Sequence, residues 1–208
     1  MSRILTICQQ VNVIPVLVVN DVARAVPLAE ALLSGGLSVL EVTLRTAAAL
    51  EVIREMSTVE GSIVGAGTVL NARDIAAVRA AGADFAVSPG CTPELINAAA
   101  DHELPLLPGA ATASEVMALM DQGFEMLKFF PAEAAGGISM LKSLAGPLPA
   151  MKFCPTGGIN ASNLQDYLAL PNVVCVGGSW LTPASLVDNH DWQQVTALAK
   201  QCSTPAEG

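Results

Sequence analysis

Apolar residues recur along this chain as short, β-branched runs, and most of the stretches between them carry a helical pattern rich in Ala, Leu and Glu. The runs begin about 20 to 26 residues apart, at residues 13–19, 39–43, 62–66, 85–88, 105–107, 126–130, 152–156 and 173–177. Strands and helices that alternate in this way indicate a parallel sheet. Eight such units predict an α/β fold, a (β/α)8 TIM barrel near the short end of its size range. No linker divides the chain, so we predict a single domain over residues 1–208.

Capping residues mark the starts of several predicted helices. Asn71 and Thr92 each precede a helical pattern, and the residue after Thr92 is a proline, which favours the first turn of a helix. Either Thr112 or Ser114 caps the helix that follows. Helices are predicted over residues 72–81, 115–122 and 191–201, and the weakest helical pattern is that of residues 23–34, because Pro27 must lie in its first turns or kink it. We expect the first ten residues to form a lid across the bottom of the barrel.

A lysine interrupts the apolar run at residues 126–130. Because side chains alternate along a strand, Met126, Lys128 and Phe130 share one face, and the lysine has a thioether and an aromatic ring as neighbours. Burial disfavours the charged ammonium and favours the nucleophilic amine, which can form a Schiff base with a carbonyl. The alternative is a lysine at a strand end whose ammonium extends to water. Taken alone, the pattern leaves both interpretations open.

Glu41 and Arg45 share a face of the second predicted strand. In a β/α barrel the chemistry lies at the carboxyl ends of the strands, and alternate residues of each strand point inward. An acid, an amine and an anion-binding guanidinium are therefore expected to converge when Lys128 is added to this pair. A structural ion pair that fills the barrel is the alternative interpretation.

Small residues follow four of the predicted strands. Exposed backbone N–H groups after the seventh and eighth strands are expected to bind phosphate, because these two loops commonly do so in barrels. Ordinary tight turns are the alternative, since they use glycine equally. The loops after the third and fourth strands, which carry Thr68 and Pro89, leave room for a ligand above the barrel. The residues of the two candidate phosphate loops are Thr156, Gly157, Gly158, Gly178 and Ser179.

Composition excludes several classes of function. The net charge of -9 argues against binding to the nucleic-acid backbone, which requires a basic surface. No apolar run approaches the roughly 18 residues of a membrane span, and residues 1–10 lack the apolar segment of a secretory signal. The five cysteines are scattered without a C-x-x-C pair, which indicates reduced thiols in a cytoplasmic protein. Because the two histidines are far apart and no carboxylate cluster accompanies them, we predict no catalytic metal.

Taken together, these residues resemble the 2-keto-3-deoxy-6-phosphogluconate (KDPG) aldolases. The similarity runs from about Val13 to Thr182 and combines several short motifs. It implies a class I aldolase of the Entner–Doudoroff pathway, free of metal and other cofactors, that also acts on 4-hydroxy-2-oxoglutarate (KHG). It also implies a cytoplasmic homotrimer. The motifs are EVTLRT at 41–46, GAGTV at 65–69, SPG at 88–90, KFFPAE at 128–133, CPTGG at 154–158 and GGSW at 177–180.

The resemblance implies a role for each candidate residue. Lys128 would form an imine at the C2 ketone of the substrate, and Glu41, through a water, would move the protons that cleavage into pyruvate and glyceraldehyde 3-phosphate requires. Arg45 would bind the substrate carboxylate with Thr68 beside it. Thr156 would favour the gluconate epimer over the galactonate epimer. The remaining implied assignments are Pro89 and Phe130 around the imine and Gly157, Gly158, Gly178 and Ser179 at the phosphate.

Alternatives to this activity remain open at the level of sequence. An aldolase for the galactonate epimer would use the same residues. A phosphosugar isomerase or epimerase could use Glu41 as a base and a charged Lys128 as an electrophile. A non-catalytic phosphate-binding protein is a third class, although it has no need for both residues inside the barrel. Covalent trapping of pyruvate by borohydride separates an aldolase from the last two classes, because neither of them predicts an imine.

Overall fold

The computed structural model describes residues 2–203, and within this range the strands are short, parallel and mostly buried. They lie close to the predicted apolar runs, and β1 ends two residues earlier than predicted. Their bounds are β1 Val13–Leu17, β2 Val39–Thr43, β3 Ile63–Gly67, β4 Phe85–Val87, β5 Leu106–Leu107, β6 Gly109–Ala110, β7 Met126–Phe129, β8 Lys152–Pro155 and β9 Val176–Gly178.

The strands form two sheets that together close a barrel. A six-stranded sheet has the order β5-β4-β3-β2-β1-β9, and a three-stranded sheet has the order β6-β7-β8. Pro108 alone separates β5 from β6, so these two pieces occupy the fifth position of the barrel. Two isolated parallel bridges, Phe153 to Val173 and Thr156 to Gly177, join β8 to the segment around β9. The predicted (β/α)8 barrel is therefore confirmed, with seams at the fifth strand and between β8 and β9.

The helices surround the barrel in the predicted alternation. The helix predicted over residues 23–34 begins later, because a 3₁₀ turn at Val22–Arg24 precedes it and Pro27 lies in its first turn. The helix predicted over residues 191–201 is longer by two residues at its end. The helices are α1 Arg3–Cys8, α2 Ala25–Ser34, α3 Ala49–Met56, α4 Ala72–Ala80, α5 Pro93–Asp101, α6 Ala113–Asp121, α7 Gly137–Ala145, α8 Leu164–Leu168, α9 Ala184–Asp188 and α10 Trp192–Ser203.

Helix α1 closes the amino-terminal end of the barrel. Its backbone is tied to the start of β7, where the Ser2 N–H donates to a carboxylate oxygen of Glu125 at 3.1 Å. Cys8 at its end is fully buried and contacts Cys175, which also contacts Cys154. These contacts and burial raise the pKa of the Cys175 thiol well above its usual value, so this side chain acts as a small apolar group here. The expected lid is thus part of the core.

Helix starts carry the predicted side-chain caps. Asn71 accepts hydrogen bonds from the N–H groups of the first turn of α4, and Thr92 does the same for α5. At α6 the structure selects Thr112 over Ser114: Thr112 Oγ1 accepts from the Glu115 N–H, and the Glu115 carboxylate accepts from the Thr112 N–H at 2.9 Å. A further N–H, from Ala111, lowers the pKa of Glu115. This reciprocal capping box fixes the start of the helix.

We predict that Thr112→Ala lowers the free energy of unfolding by about 0.5 to 2 kcal/mol, because the change removes a helix cap. Urea unfolding of the purified protein measures this difference. The pKa of Glu115 is lower in the folded state than in the unfolded state. The carboxylate therefore stabilises the fold at pH values above its pKa in the unfolded state, and this stabilisation is lost as the pH falls through its pKa in the folded state. Ser114→Ala in the same exposed turn is the matched control, and an equal loss in that variant would contradict the assignment.

Candidate active site

Lys128 lies in the interior of the barrel on β7. Its neighbours in the ladder are Gly109 on one side and Cys154 on the other, and its backbone N–H donates to the Pro108 carbonyl at 2.9 Å. Only 5% of the residue is exposed. The Nζ atom lies 5.3 Å from the centroid of the Phe130 ring, close enough for a cation–π interaction when the amine is protonated. The lysine therefore does not extend freely to water.

Glu41 reaches the same interior point from β2. Its carboxylate Oε1 lies 3.3 Å from Lys128 Nζ, although 87 residues separate the two positions in the chain. The residue is 3% exposed. The neighbouring strand makes room for this carboxylate at Gly67, where an added Cβ would lie 2.2 Å from Oε1. The absence of a side chain at Gly67 is thus a requirement for the position of Glu41.

The electrostatics of this pair differ from those of a lone buried lysine. Burial alone disfavours the ammonium, whereas a carboxylate within hydrogen-bonding distance favours it. Breaking such a pair by removing one partner leaves an uncompensated buried charge, which is strongly destabilising. The two groups can also exchange a proton directly at this distance. The arrangement therefore provides a nucleophile and an acid–base group at one desolvated point.

Pro89 approaches this point from the loop after β4. The backbone of Pro89 packs so closely on Gly109 that an added Cβ there would lie 2.3 Å from the Pro89 carbonyl group. Gly109 is the ladder partner of Lys128. Pro89 is thus beside the strand that carries the amine, and Phe130 lies above the amine.

Arg45 and Thr68 lie at the mouth of the barrel, above the buried pair. Arg45 is exposed, and its Nε donates to Thr68 Oγ1 at 3.4 Å. Thr68 has a φ of 60°, a left-handed conformation that is uncommon for residues other than glycine. The hydroxyls of Thr43 and Thr46, below and beside Arg45, donate to backbone carbonyls at the end of β1. The guanidinium contacts Thr68 rather than Glu41.

Thr156 lies at the carboxyl end of β8, on the buried face. Its Oγ1 is 3.4 Å from the Cys154 carbonyl, and it packs on Gly177, where an added Cβ would be 2.3 Å from the hydroxyl. Its backbone N–H donates to the Phe129 carbonyl at 2.9 Å. The threonine is therefore held between the lysine strand and β9, with 7% of the residue exposed.

The two candidate phosphate loops lie at the carboxyl ends of β8 and β9. Gly157 and Gly158 have φ values of 102° and 84°, which the L side chains of other residues rarely adopt. Gly158 is exposed, Gly178 is buried and Ser179 is exposed. Ser179 also lines a recess of about 210 Å³ that includes Arg24. The loops thus present backbone groups at the same mouth as Arg45.

One contact near the site involves a residue to which the sequence pattern gave no role. The hydroxyl of Tyr167, on α8, donates to the carboxylate of Glu133, which follows β7 by four residues. Tyr167 is fully buried, and burial together with Glu133 raises the pKa of its hydroxyl. Tyr167 is the only tyrosine of the chain, and Glu133 ends the KFFPAE motif. Those two facts were the available signals, but neither indicates that the residues meet.

Comparison with known proteins identifies the family of this chain. A family model described as KDPG and KHG aldolase matches residues 4–198. The chain belongs to the KDPG and KHG aldolase family. The resemblance drawn from the motifs is therefore confirmed. A relative within the family, the 2-dehydro-3-deoxy-phosphogluconate aldolase of Pseudoalteromonas atlantica, is 53% identical over 197 residues, which cover 94% of this chain and 92% of the relative.

Two solved structures of KDPG aldolases superpose closely on this member of the family. The enzyme from Legionella pneumophila, with pyruvate captured at low pH as a covalent carbinolamine, has a TM-score of 0.94 and 48% identity, covering 98% of this chain and 99% of that one. The enzyme from Zymomonas mobilis ZM4 with 3-phosphoglycerate has a TM-score of 0.93 and 48% identity, covering 97% of this chain and 95% of that one.

Among residues 2–203 no group of three or more His, Cys, Asp or Glu side chains is arranged to hold a metal ion.

Proposed function

We propose that this protein is a metal-independent class I aldolase that cleaves 2-dehydro-3-deoxy-6-phosphogluconate (KDPG) into pyruvate and D-glyceraldehyde 3-phosphate. The observation that carries the proposal is the buried contact of 3.3 Å between Lys128 Nζ and Glu41 Oε1 in a chain of this family. The carbinolamine held by the Legionella pneumophila enzyme supports it, because a carbinolamine is the adduct from which an imine forms by loss of water.

Lys128 is the nucleophile in this proposal. Its neutral amine attacks the C2 ketone, and loss of water from the carbinolamine gives a protonated imine. When the C3–C4 bond breaks, its electron pair moves toward the iminium nitrogen and leaves an enamine of pyruvate. The imine thus accepts the electrons of the broken bond, and hydrolysis afterwards releases pyruvate and restores the amine.

Glu41 is the acid–base group. It accepts the proton of the C4 hydroxyl during cleavage, through a water, and returns a proton to C3 of the enamine. One carboxylate can do both, because the two steps occur in sequence. Its distance of 3.3 Å from Lys128 also allows it to accept the proton that the ammonium must lose before it attacks.

Charged ends of the substrate are bound at the mouth. Arg45 forms charge-assisted hydrogen bonds with the substrate carboxylate, and Thr68 lies beside it. Pro89 and Phe130 exclude water around the imine. The bound 3-phosphoglycerate of the Zymomonas mobilis enzyme supports a phosphate site in the family. In this chain the proposed phosphate ligands are the backbone and hydroxyl groups of Gly157, Gly158, Gly178 and Ser179.

A second substrate is 4-hydroxy-2-oxoglutarate, which the same steps convert into pyruvate and glyoxylate. The family description includes both activities. Because this substrate has no phosphate, it depends on the Lys128–Glu41 pair and Arg45 but not on the glycine loops. The galactonate epimer of KDPG and the isomerase or epimerase reactions are the alternatives that the experiments below exclude or support.

We further infer that residues 1–208 act as one domain in a cytoplasmic homotrimer of the Entner–Doudoroff pathway. The single barrel of residues 2–203 supports one domain, and its five free thiols suit a reducing compartment. No helix of the described residues 2–203 has the length and apolar character of a membrane span. The trimer is the assembly that the resemblance to the KDPG aldolases implies.

Borohydride reduction in the presence of pyruvate should attach pyruvate to Lys128 alone. The other lysines are Lys142, Lys152 and Lys200, and Lys152 lies at the start of β8, where its Nζ donates to the Pro171 carbonyl at 2.9 Å. Peptide mapping by mass spectrometry locates the adduct, and Lys128→Met is the control that should acquire none. An adduct on another lysine would overturn the mechanism, and no adduct at all would favour the isomerase or epimerase.

Glu41→Gln should lower kcat for KDPG cleavage by on the order of 10² to 10⁴, because the amide keeps the shape of the side chain but cannot accept the proton. Trapping of pyruvate should continue at a lower rate, because the amide no longer accepts the ammonium proton while the amine that forms the bond is still present. Steady-state kinetics and the trapping assay measure the two steps separately. A variant that cleaves KDPG as fast as the parent would show that Glu41 is a structural partner only.

Thr156→Val should narrow the preference for the gluconate over the galactonate epimer by about 2- to 12-fold, the effect of one net hydrogen bond. The epimers differ at C4, and the Thr156 hydroxyl lies on the buried face between the lysine strand and the phosphate loop. Values of kcat/KM for both epimers test this, with pyruvate trapping as the control that should stay nearly unchanged. An unchanged ratio would remove Thr156 from substrate selection, and a parent that prefers the galactonate epimer would change the assigned substrate.

A further inference from the structure

Glu133 connects the lysine strand to the candidate phosphate loop. Beyond the end of β7 the ladder continues in two hydrogen bonds: the Ala132 N–H donates to the Thr156 carbonyl at 2.8 Å, and the Glu133 N–H donates to the Gly157 carbonyl at 3.1 Å. The Glu133 side chain then packs on the next residue of the loop, because an added Cβ at Gly158 would lie 2.4 Å from its Cγ. The loop is therefore supported from below by the segment that follows Lys128.

Tyr167 fixes the same loop from its other end. It lies on α8, the helix into which the loop leads, and its hydroxyl donates to the Glu133 carboxylate. An added Cβ at Gly137 would lie 2.9 Å from the Tyr167 hydroxyl and 3.2 Å from Glu133 Oε1, so the chain leaves this space free of side chains. Glu133 therefore contacts the start of the loop through its backbone and α8 at the end of the loop through its carboxylate.

The charge of Glu133 gives this contact a second consequence. A carboxylate that lies against Gly158 would repel a phosphate bound to the loop if its oxygens turned toward the ligand. The Tyr167 hydroxyl donates to one of those oxygens and holds it toward α8. Burial and the carboxylate raise the pKa of this hydroxyl, which favours its protonated, donating form.

We propose that Tyr167 and Glu133 are positioning residues for the phosphate end of the substrate. Their contact sets the loop of Gly157 and Gly158 in its binding conformation and keeps the Glu133 carboxylate turned away from the ligand. The inference rests on the proposed aldolase function and goes beyond it, because neither residue touches the reacting atoms. It follows that the pair affects the binding of phosphorylated substrates and does not affect imine formation at Lys128.

The test compares Tyr167→Phe with the parent in three assays. The change keeps the buried ring and removes only the hydroxyl. KM for KDPG should rise about 2- to 12-fold with a smaller change in kcat, as expected for the loss of a net hydrogen bond that organises a binding loop. KM for the non-phosphorylated 4-hydroxy-2-oxoglutarate and the rate of pyruvate trapping by borohydride should change less than 2-fold, because neither ligand reaches the loop.

Two further variants separate positioning from general stability. Glu133→Gln keeps an acceptor oxygen for Tyr167 and removes the charge, so KM for KDPG should stay at the parent value or fall. Glu133→Ala should raise KM as Tyr167→Phe does, since it removes the acceptor. Gln165→Ala, an exposed residue of the same helix, is the matched control and should change none of these values.

Each outcome decides a different question. An unchanged KM for KDPG in Tyr167→Phe, or an equal rise for both substrates, would overturn the positioning role while leaving the aldolase assignment intact. A rise in KM for KDPG in Glu133→Gln would show that the negative charge assists binding and would also overturn it. If the parent cleaves neither substrate and traps no pyruvate, the proposed function itself fails, and the positioning role that rests on it fails with it.

Discussion

Two ionisable side chains buried 3.3 Å apart inside the barrel constrain the rest of the structure. A charged Lys128 or Glu41 is costly in such an interior alone, because removing a charge from water costs several kcal/mol and a partner with good geometry offsets that cost. The requirement extends to their neighbours. Gly67 must lack a side chain so that the carboxylate fits, and Phe130 covers the amine. The position of each group is thus set by the other and by the absence of bulk around both.

Chemistry and recognition are divided between different parts of the barrel. The groups proposed to react are on strands, where the ladder limits their motion, and the groups proposed to bind the charged ends of the substrate are on the loops that follow. Rigid elements suit an acid–base pair that tolerates little displacement, whereas loops offer free backbone N–H groups. The Glu133–Tyr167 contact joins these two parts, because it begins four residues after β7 and ends beyond the glycine loop.

Much of this arrangement could be predicted from the sequence. Side chains alternate along a strand, so the pattern shows that Lys128 and Glu41 point into the barrel. All strands of a barrel have their carboxyl ends on the same side, where the active site lies. Local patterns could not decide between Thr112 and Ser114, since both carry a hydroxyl and only the backbone conformation separates them. The division of the fifth strand at Pro108 was missed, because each piece has only two residues. The contact of Tyr167 with Glu133 spans 34 residues and has no periodic signal, so it emerges only when α8 packs on the barrel.

The two seams of the barrel have a consequence for the geometry of its interior. Glu41 belongs to the six-stranded sheet and Lys128 to the three-stranded one, and within residues 2–203 the β-ladder pairing between these sheets consists of two isolated bridges, with the chain itself crossing at Pro108. The separation of amine and carboxylate therefore depends on how the two sheets pack against each other and not on the register within either ladder. The least continuous part of the backbone hydrogen-bond network thus lies between the sheet that carries the amine and the sheet that carries the carboxylate.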